Sequence, residues 1–357
     1  MIRLAILCNY KLLPERIGGM DYFFWNFDQK CKQSNIQIDW FFPNYSDHGA
    51  YFNLTVHHNE SESVENNFLI FQKQNQVEYS HIITHFVELC TSFFSEIKKI
   101  SKAKIIAIDH NPRPLKGYPL KKKIIKRIKG IMFSKHIDVF VGVSNYTSKA
   151  ILNDFGFHLN SKVQTIYNGV ILDDILFRKE RRFLEPSFVV VSHLRQSKGI
   201  QDLIESVHIL PENIKAKISI TVYGDGPYKS ELLKKIEKYD LEKCFSFMGS
   251  NSNLKELYSH YDYMLQPTHM ECFSLSILES LAANVPVITT NVGGNTEVIT
   301  DGINGFISDA KDVKTLAIIL EDIYSGNKKI SINTRDLIAN SFSLPKMVEN
   351  HLKLILE

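Results

Sequence analysis

The chain has 357 residues, 44% hydrophobic and 23% charged, which is ordinary for a globular protein and long enough for two domains with substantial cores. Its 42 Lys and Arg nearly balance 39 Asp and Glu, for a net charge of +3. That balance excludes a surface coated for nucleic acid and an acidic disordered tail. The five cysteines include no Cys-x-x-Cys pair, a pattern that fits a reducing compartment better than a disulfide framework. The start reads as a buried strand and not a signal peptide. No run reaches about 18 apolar residues, so no membrane span is expected, and the expected location is cytoplasmic.

Short apolar runs alternate with helix-period stretches from end to end. Strands are predicted at 2–7, 36–42, 81–83, 105–108, 139–143 and 163–166, with helices at 19–34, 88–100, 120–133 and 146–155. The second half predicts strands at 188–191, 218–223, 245–248, 263–265 and 285–289. Its helices fall at 200–210, 228–238, 254–260, 275–283 and 313–324. The strands are continuous apolar runs, as a parallel sheet covered on both faces requires. The reading is therefore α/β, with two Rossmann-like doubly wound domains facing a central cleft. Domain boundaries are read at 1–172, a charged linker at 173–186, a second domain at 187–340, and a last helix in 341–357 packing back towards the first domain. No motif is found in 44–80.

Candidate chemistry sits in loops that follow strands. After the strand ending at Leu265, Glu271 lies in a loop and Ser274 is placed to cap the next helix. The backbone N–H groups of Phe273, Ser274 and Leu275 would then form an anion site at its start. Glu279 lies about a turn and a half further on. Those three features, in order, suit sugar hydroxyls, a diphosphate and a ribose. Alone, a Glu pair at this spacing reads more readily as two surface residues. The stretch Ser192-His193-Leu194-Arg195-Gln196-Ser197-Lys198-Gly199 also follows a strand and opens a helix. A first-turn Lys198 opposes the helix dipole unless an anion is bound there. Gly18-Gly19 opens the first helix, where close backbone approach to a ligand is possible, although such pairs also mark ordinary loops. Gly224-Asp225-Gly226 reads as a turn. His110 stands just beyond a strand's carboxyl end.

Residues 110–137 contain nine Lys and Arg and no acidic residue. Within the helix at 120–133, Leu120, Ile124, Ile128, Ile131 and Met132 form one stripe, expected to dock on the protein. Lys122, Lys123, Lys126 and Lys129 fall opposite. That basic side reads equally as a solvated face or as a surface held against anionic lipid headgroups.

The segment from Glu271 to Glu279 resembles the Glu-x7-Glu motif of retaining, nucleotide-sugar-dependent glycosyltransferases of family 4, which have the GT-B fold. The flanks Ala282-Ala283-Asn284-Val285-Pro286, Gly293-Gly294-Asn295-Thr296-Glu297 and Asp301-Gly302-Ile303-Asn304-Gly305 are similar too. Cys272-Phe273-Ser274 stands where the family usually has Gly-Phe-Gly. Lys198 matches the family's lysine. Its arginine position holds His193, with Arg195 two places on, and both remain candidates for the donor diphosphate. His110 matches a functionally important His.

The resemblance implies a retaining transferase moving a sugar from a nucleotide-diphosphate sugar, UDP-linked first and GDP-linked second, to a glycan or lipid-linked acceptor. Surface polysaccharide synthesis is the implied setting, with a peripheral place on the inner face of the cytoplasmic membrane. His110 and Glu271 would be catalytic. Gly18, Gly19, His193, Arg195, Lys198, Phe273, Ser274, Leu275 and Glu279 would hold the donor. Neither a cofactor nor a metal is expected, since no cluster has metal-ligand spacing, and no nucleic-acid partner is expected. A GT-B nucleotide-sugar epimerase and a non-catalytic nucleotide-sugar-binding protein are the alternatives.

Overall fold

The computed structural model describes residues 2–15, 17–251 and 253–356. The chain forms two compact units, residues 1–169 with 344–357, and residues 170–343.

The first unit holds a seven-stranded parallel sheet in the order β3-β2-β1-β4-β5-β6-β7. Its strands are β1 (Arg3–Cys8), β2 (Gln37–Phe42), β3 (Val56–His58), β4 (His81–His85), β5 (Lys104–Asp109), β6 (Val139–Gly142) and β7 (Val163–Thr165). Helices α1 (Gly19–Gln33), α2 (Val64–Asn75), α3 (Ser92–Ile100), α4 (Leu120–Phe133) and α5 (Asn145–Phe155) connect them, and α13 (Leu344–Leu356) returns to this unit. Leu4, Ala5, Ile6, Leu7 and Cys8 are all fully buried, which is why β1 reads as an unbroken apolar run. Elements β3 and α2 fall in the stretch where no pattern was found. β3 is a three-residue edge strand, Val-His-His, and α2 is rich in Asn and Gln. Its start is set instead by Ser63, whose side chain accepts from Asn66 N–H at 3.1 Å.

The second unit holds a six-stranded parallel sheet in the order β10-β9-β8-β11-β12-β13. These are β8 (Phe188–Val191), β9 (Ile220–Tyr223), β10 (Phe245–Gly249), β11 (Tyr263–Gln266), β12 (Val287–Thr290) and β13 (Gly305–Ser308). The helices are α6 (Ile200–His208), α7 (Glu212–Lys215), α8 (Lys229–Lys238), α9 (Leu254–Leu257), α10 (Leu275–Ala282), α11 (Val313–Tyr324) and α12 (Arg335–Ser341). The stretch 173–186 is bound to this unit around the buried Asp262. Arg178 donates to its carboxylate at 2.5 Å, and the Arg182 backbone at 2.7 Å. In both sheets the strand order reverses beside the first strand, between β1 and β4 and between β8 and β11, where ligands bind in open α/β sheets.

Helix α4 departs from its expected orientation. Leu120, Ile124, Ile128, Ile131 and Met132 are exposed, and the helix buries Gly130. Lys126 and Lys129, expected to face outward, point to the body of the unit. Lys126 pairs with Asp154 at 3.2 Å and Lys129 with Glu88 at 2.7 Å. Lys122 is exposed and lies over the Tyr118 ring at 4.4 Å, and Lys123 is exposed. The reason is steric. Gly130 is the one position on the helix without a side chain, and a Cβ there would lie 2.0 Å from the Phe155 carbonyl oxygen. The backbones of α4 and α5 approach through that gap, so the side carrying Gly130 must face in.

Gly130→Ala should therefore destabilise the first unit by about 1–3 kcal/mol, as overpacking does. Urea unfolding followed by circular dichroism measures it, and an unchanged midpoint would contradict the close approach.

Candidate functional site

The loops after β8 and β11 lie side by side and carry six of the residues singled out in the sequence, His193, Arg195, Lys198, Glu271, Phe273 and Ser274. Lys198 Nζ donates to Glu271 Oε2 at 2.8 Å, and Cys272 N–H donates to Oε1 at 3.1 Å. Both side chains are largely buried. The contact depends on backbone fit. Gly199 has φ +72°, and a Cβ on it would fall 1.7 Å from the Pro267 carbonyl oxygen. Gly293 has φ +63°, with its Cβ position 2.1 Å from the Glu271 carbonyl oxygen. The Lys-Gly and Gly-Gly patterns are thus needed to press three loops together.

Residues without a role in the sequence reading complete the clamp. His269 N–H and Thr268 Oγ1 both donate to the Ser197 carbonyl, at 2.8 and 3.2 Å. The His269 ring pairs with Asp202 on α6. Behind them Thr289 Oγ1 donates to the Gln266 carbonyl at 2.9 Å.

Ser274 caps α10. Its Oγ accepts from Ile277 N–H at 3.4 Å and from Gln266 Nε2 at 2.6 Å. Phe273 is buried against Phe342, with ring centroids 5.5 Å apart, and Leu275 opens the helix half-buried. Glu279 is half-buried. Burial pushes its carboxyl up to about 7, against the buried Tyr258 hydroxyl that donates to it at 3.0 Å. Tyr258 was legible only as an apolar position of a predicted helix. His193 and Arg195 are both exposed, on a loop pinned to the Gly224-Asp225-Gly226 turn by Leu194 N–H donating to the Asp225 carbonyl at 2.9 Å.

In the first unit, Gly18 caps α1. Its N–H donates at 2.8 Å to the buried Asp21, which also accepts from Tyr51 OH at 2.6 Å. A Cβ on Gly18 would meet nothing nearer than 3.9 Å, at the Asp21 carboxylate, so internal packing does not demand glycine there. Gly19 is the first residue of the helix, and Arg16, which precedes them, lies outside the described residues.

His110 is buried beyond β5, its Nε2 3.0 Å from His85 Nδ1 at the end of β4. It stacks on Phe86 at 4.2 Å. His351 of α13 lies 6.2 Å from the His85 ring. Burial lowers all three imidazoles, His110 to about 3, His351 to about 4, and His85 well below its ordinary value.

Residues 174–340, nearly the whole second unit, match the family described as glycosyl transferases group 1. The chain is 28% identical to N-acetyl-alpha-D-glucosaminyl L-malate synthase of Bacillus anthracis over 204 residues, 54% of this chain and 53% of that one. It is 26% identical to the capsular polysaccharide biosynthesis glycosyltransferase CapM of Staphylococcus aureus over 228 residues, 60% of this chain and 57% of that one. The match thus spans little more than half the length of each of these relatives. The structure of Anabaena Alr3699/HepE, in complex with UDP and glucose, superimposes with a TM-score of 0.77 at 16% identity and covers 99% of both chains. The chain has the GT-B fold, and residues 174–340 of its second unit are similar to the glycosyl transferases group 1 family.

The buried histidines set an acid limit. Their folded pKa values lie below the ordinary 6.5, so below that pH the unfolded chain takes up protons that the folded chain refuses. Stability should fall as pH drops from 6.5 towards 4, by about 1.4 kcal/mol per pH unit for each histidine. His351→Gln should flatten the slope measured by urea titration across this range, and an identical slope would contradict a buried neutral His351.

Proposed function

We propose that the protein is a retaining, metal-independent glycosyltransferase of family 4 type. It moves a sugar from a nucleotide-diphosphate sugar, UDP-linked first and GDP-linked second, to a glycan or lipid-linked acceptor in surface polysaccharide synthesis. The observation that carries the reading is the Lys198–Glu271 contact at the strand-order switch of the second sheet. A cation and a carboxylate are held together where a diphosphate and its sugar would lie side by side, next to the amino end of α10.

In this reading Lys198 and the backbone of Phe273, Ser274 and Leu275 stabilise the departing diphosphate, whose charge grows in the transition state. One of His193 and Arg195 assists. Glu271 accepts hydrogen bonds from the sugar hydroxyls. Glu279 accepts from the ribose, with Tyr258 fixing its position. His110, buried and neutral, hydrogen-bonds the transferred sugar, and the Gly18-Gly19 backbone approaches the donor. The location that suits these roles is cytoplasmic, peripheral on the inner face of the membrane.

A thermal-shift screen of UDP-, GDP-, ADP- and TDP-sugars identifies the base, since a bound donor raises Tm by mass action. Lys198→Ala should lower the rate of sugar transfer or donor hydrolysis by about 100-fold, the scale of losing one oxyanion contact. EDTA should leave the rate unchanged. An epimerised sugar with no transfer would favour the epimerase reading.

Glu279 predicts a pH signature. Only its ionised form accepts from both ribose hydroxyls, and its carboxyl is held near 7. Calorimetric affinity for UDP should therefore rise about tenfold from pH 6 to pH 8. Glu279→Gln should weaken binding and abolish that rise, and unchanged affinity would remove Glu279 from the donor site.

A further inference from the structure

Two histidines of the first unit meet at the carboxyl ends of adjacent strands. His85 closes β4 and His110 follows β5, and the strands pair in parallel with His85 opposite Ile108. His85 Nδ1 lies 3.0 Å from His110 Nε2, and both rings are buried. A neutral imidazole has one N–H and one bare nitrogen, and burial keeps both rings neutral. One ring therefore donates and the other accepts. Because the contact joins Nδ1 of one ring to Nε2 of the other, only two arrangements satisfy it. Either both rings carry the proton on Nδ1 or both carry it on Nε2. The tautomer of His110 is thus tied to that of His85.

The face of the His110 ring is held as well as its edge. Phe86 stacks on it with ring centroids 4.2 Å apart and 19° between planes. Phe86 has φ +58°, a left-handed conformation that is costly for a bulky side chain. Such strain persists only where the surroundings impose it, and it clusters at functional sites. His85 is enclosed in turn by Phe23 and Phe24, each with its ring centroid 5.8 Å away. His351 is protonated on Nδ1, which lies 2.8 Å from the Met347 carbonyl oxygen, an acceptor only.

We propose that His85 is a positioning residue for His110. It sets which nitrogen of His110 carries the proton and holds that edge of the ring, while Phe86 backs the face. His110 Nδ1 then keeps one hydrogen-bonding sense, donor or acceptor, set from the neighbouring strand. The catalytic meaning of the pair rests on the reading of His110 as the residue that binds the transferred sugar. The tautomer coupling stands without it.

Imidazole nitrogen resonances of the isotope-labelled full chain, assigned by substitution, report which nitrogen of each ring is protonated. His351 serves as the Nδ1–H reference. In the wild type His85 and His110 should show the same tautomer. In His85→Leu, shown to be folded by its melting curve, the His110 nitrogen resonances should shift. With the donor that the thermal-shift screen selects, kcat should fall about tenfold or more in this variant, while affinity for the free nucleotide is unchanged. His85→Asn, whose amide reaches as far as Nδ1 and can donate or accept, should recover most of the loss. Unmatched tautomers in the wild type would overturn the proposal. So would His110 resonances that folded His85→Leu leaves in place, or kcat lost equally in the leucine and asparagine variants. Matched tautomers in a chain that binds no donor would uphold the coupling and count against the transferase reading alone.

Discussion

The second unit is organised by one close backbone contact, Gly199 against the Pro267 carbonyl. The loops after β8 and β11 belong to adjacent strands, which brings Lys198 and Glu271 within reach of each other but does not by itself fix their contact of 2.8 Å. Removing the side chain at 199 lets the turn before α6 settle onto the loop after β11. The His269 and Thr268 bonds to the Ser197 carbonyl then hold it there. Gly293 does the same from the β12 side, against the Glu271 carbonyl. Three strand ends are thereby fused into one rigid surface, the condition for holding polar groups to a fixed geometry.

On that surface charge and burial are divided between two carboxylates. Glu271 is compensated, with Lys198 on one oxygen and a backbone N–H on the other. Glu279 has the Tyr258 hydroxyl as its main partner, and burial lifts it towards neutrality. The same residue type is thus given two different surroundings, an ion pair for Glu271 and burial against a hydroxyl for Glu279. The first unit uses the same desolvation that lifts Glu279, keeping three imidazoles neutral by holding them out of water.

The fold was legible where burial writes itself into sequence. Continuous apolar strands such as Phe188–Val191 and Val139–Gly142 stood out because both faces of their sheets are covered. β3 escaped because a three-residue edge strand of Val-His-His buries little, and β13, although mostly buried, is four residues long and begins with Gly305, which leaves too short an apolar run to stand out. The Lys198–Glu271 neighbourhood was visible as motifs, since glycines at close contacts are fixed by sterics. His269, Asp202 and Tyr258 were not, because a polar residue that braces a loop has no periodicity to betray it. The orientation of α4 misled for a related reason. Amphipathicity reports that a helix has two sides, but which side faces in was decided by one glycine against Phe155. The small global charge of +3 likewise concealed a polarised chain, +7 over residues 1–172 and −4 over 173–357.

The central claim is that the fused loops of the second unit hold the nucleotide-diphosphate portion of a sugar donor. Hydrogen–deuterium exchange with and without UDP tests it most directly. The account predicts slowed exchange confined largely to residues 192–199 and 267–279. Unchanged exchange in both segments, with protection appearing elsewhere or nowhere, would contradict it.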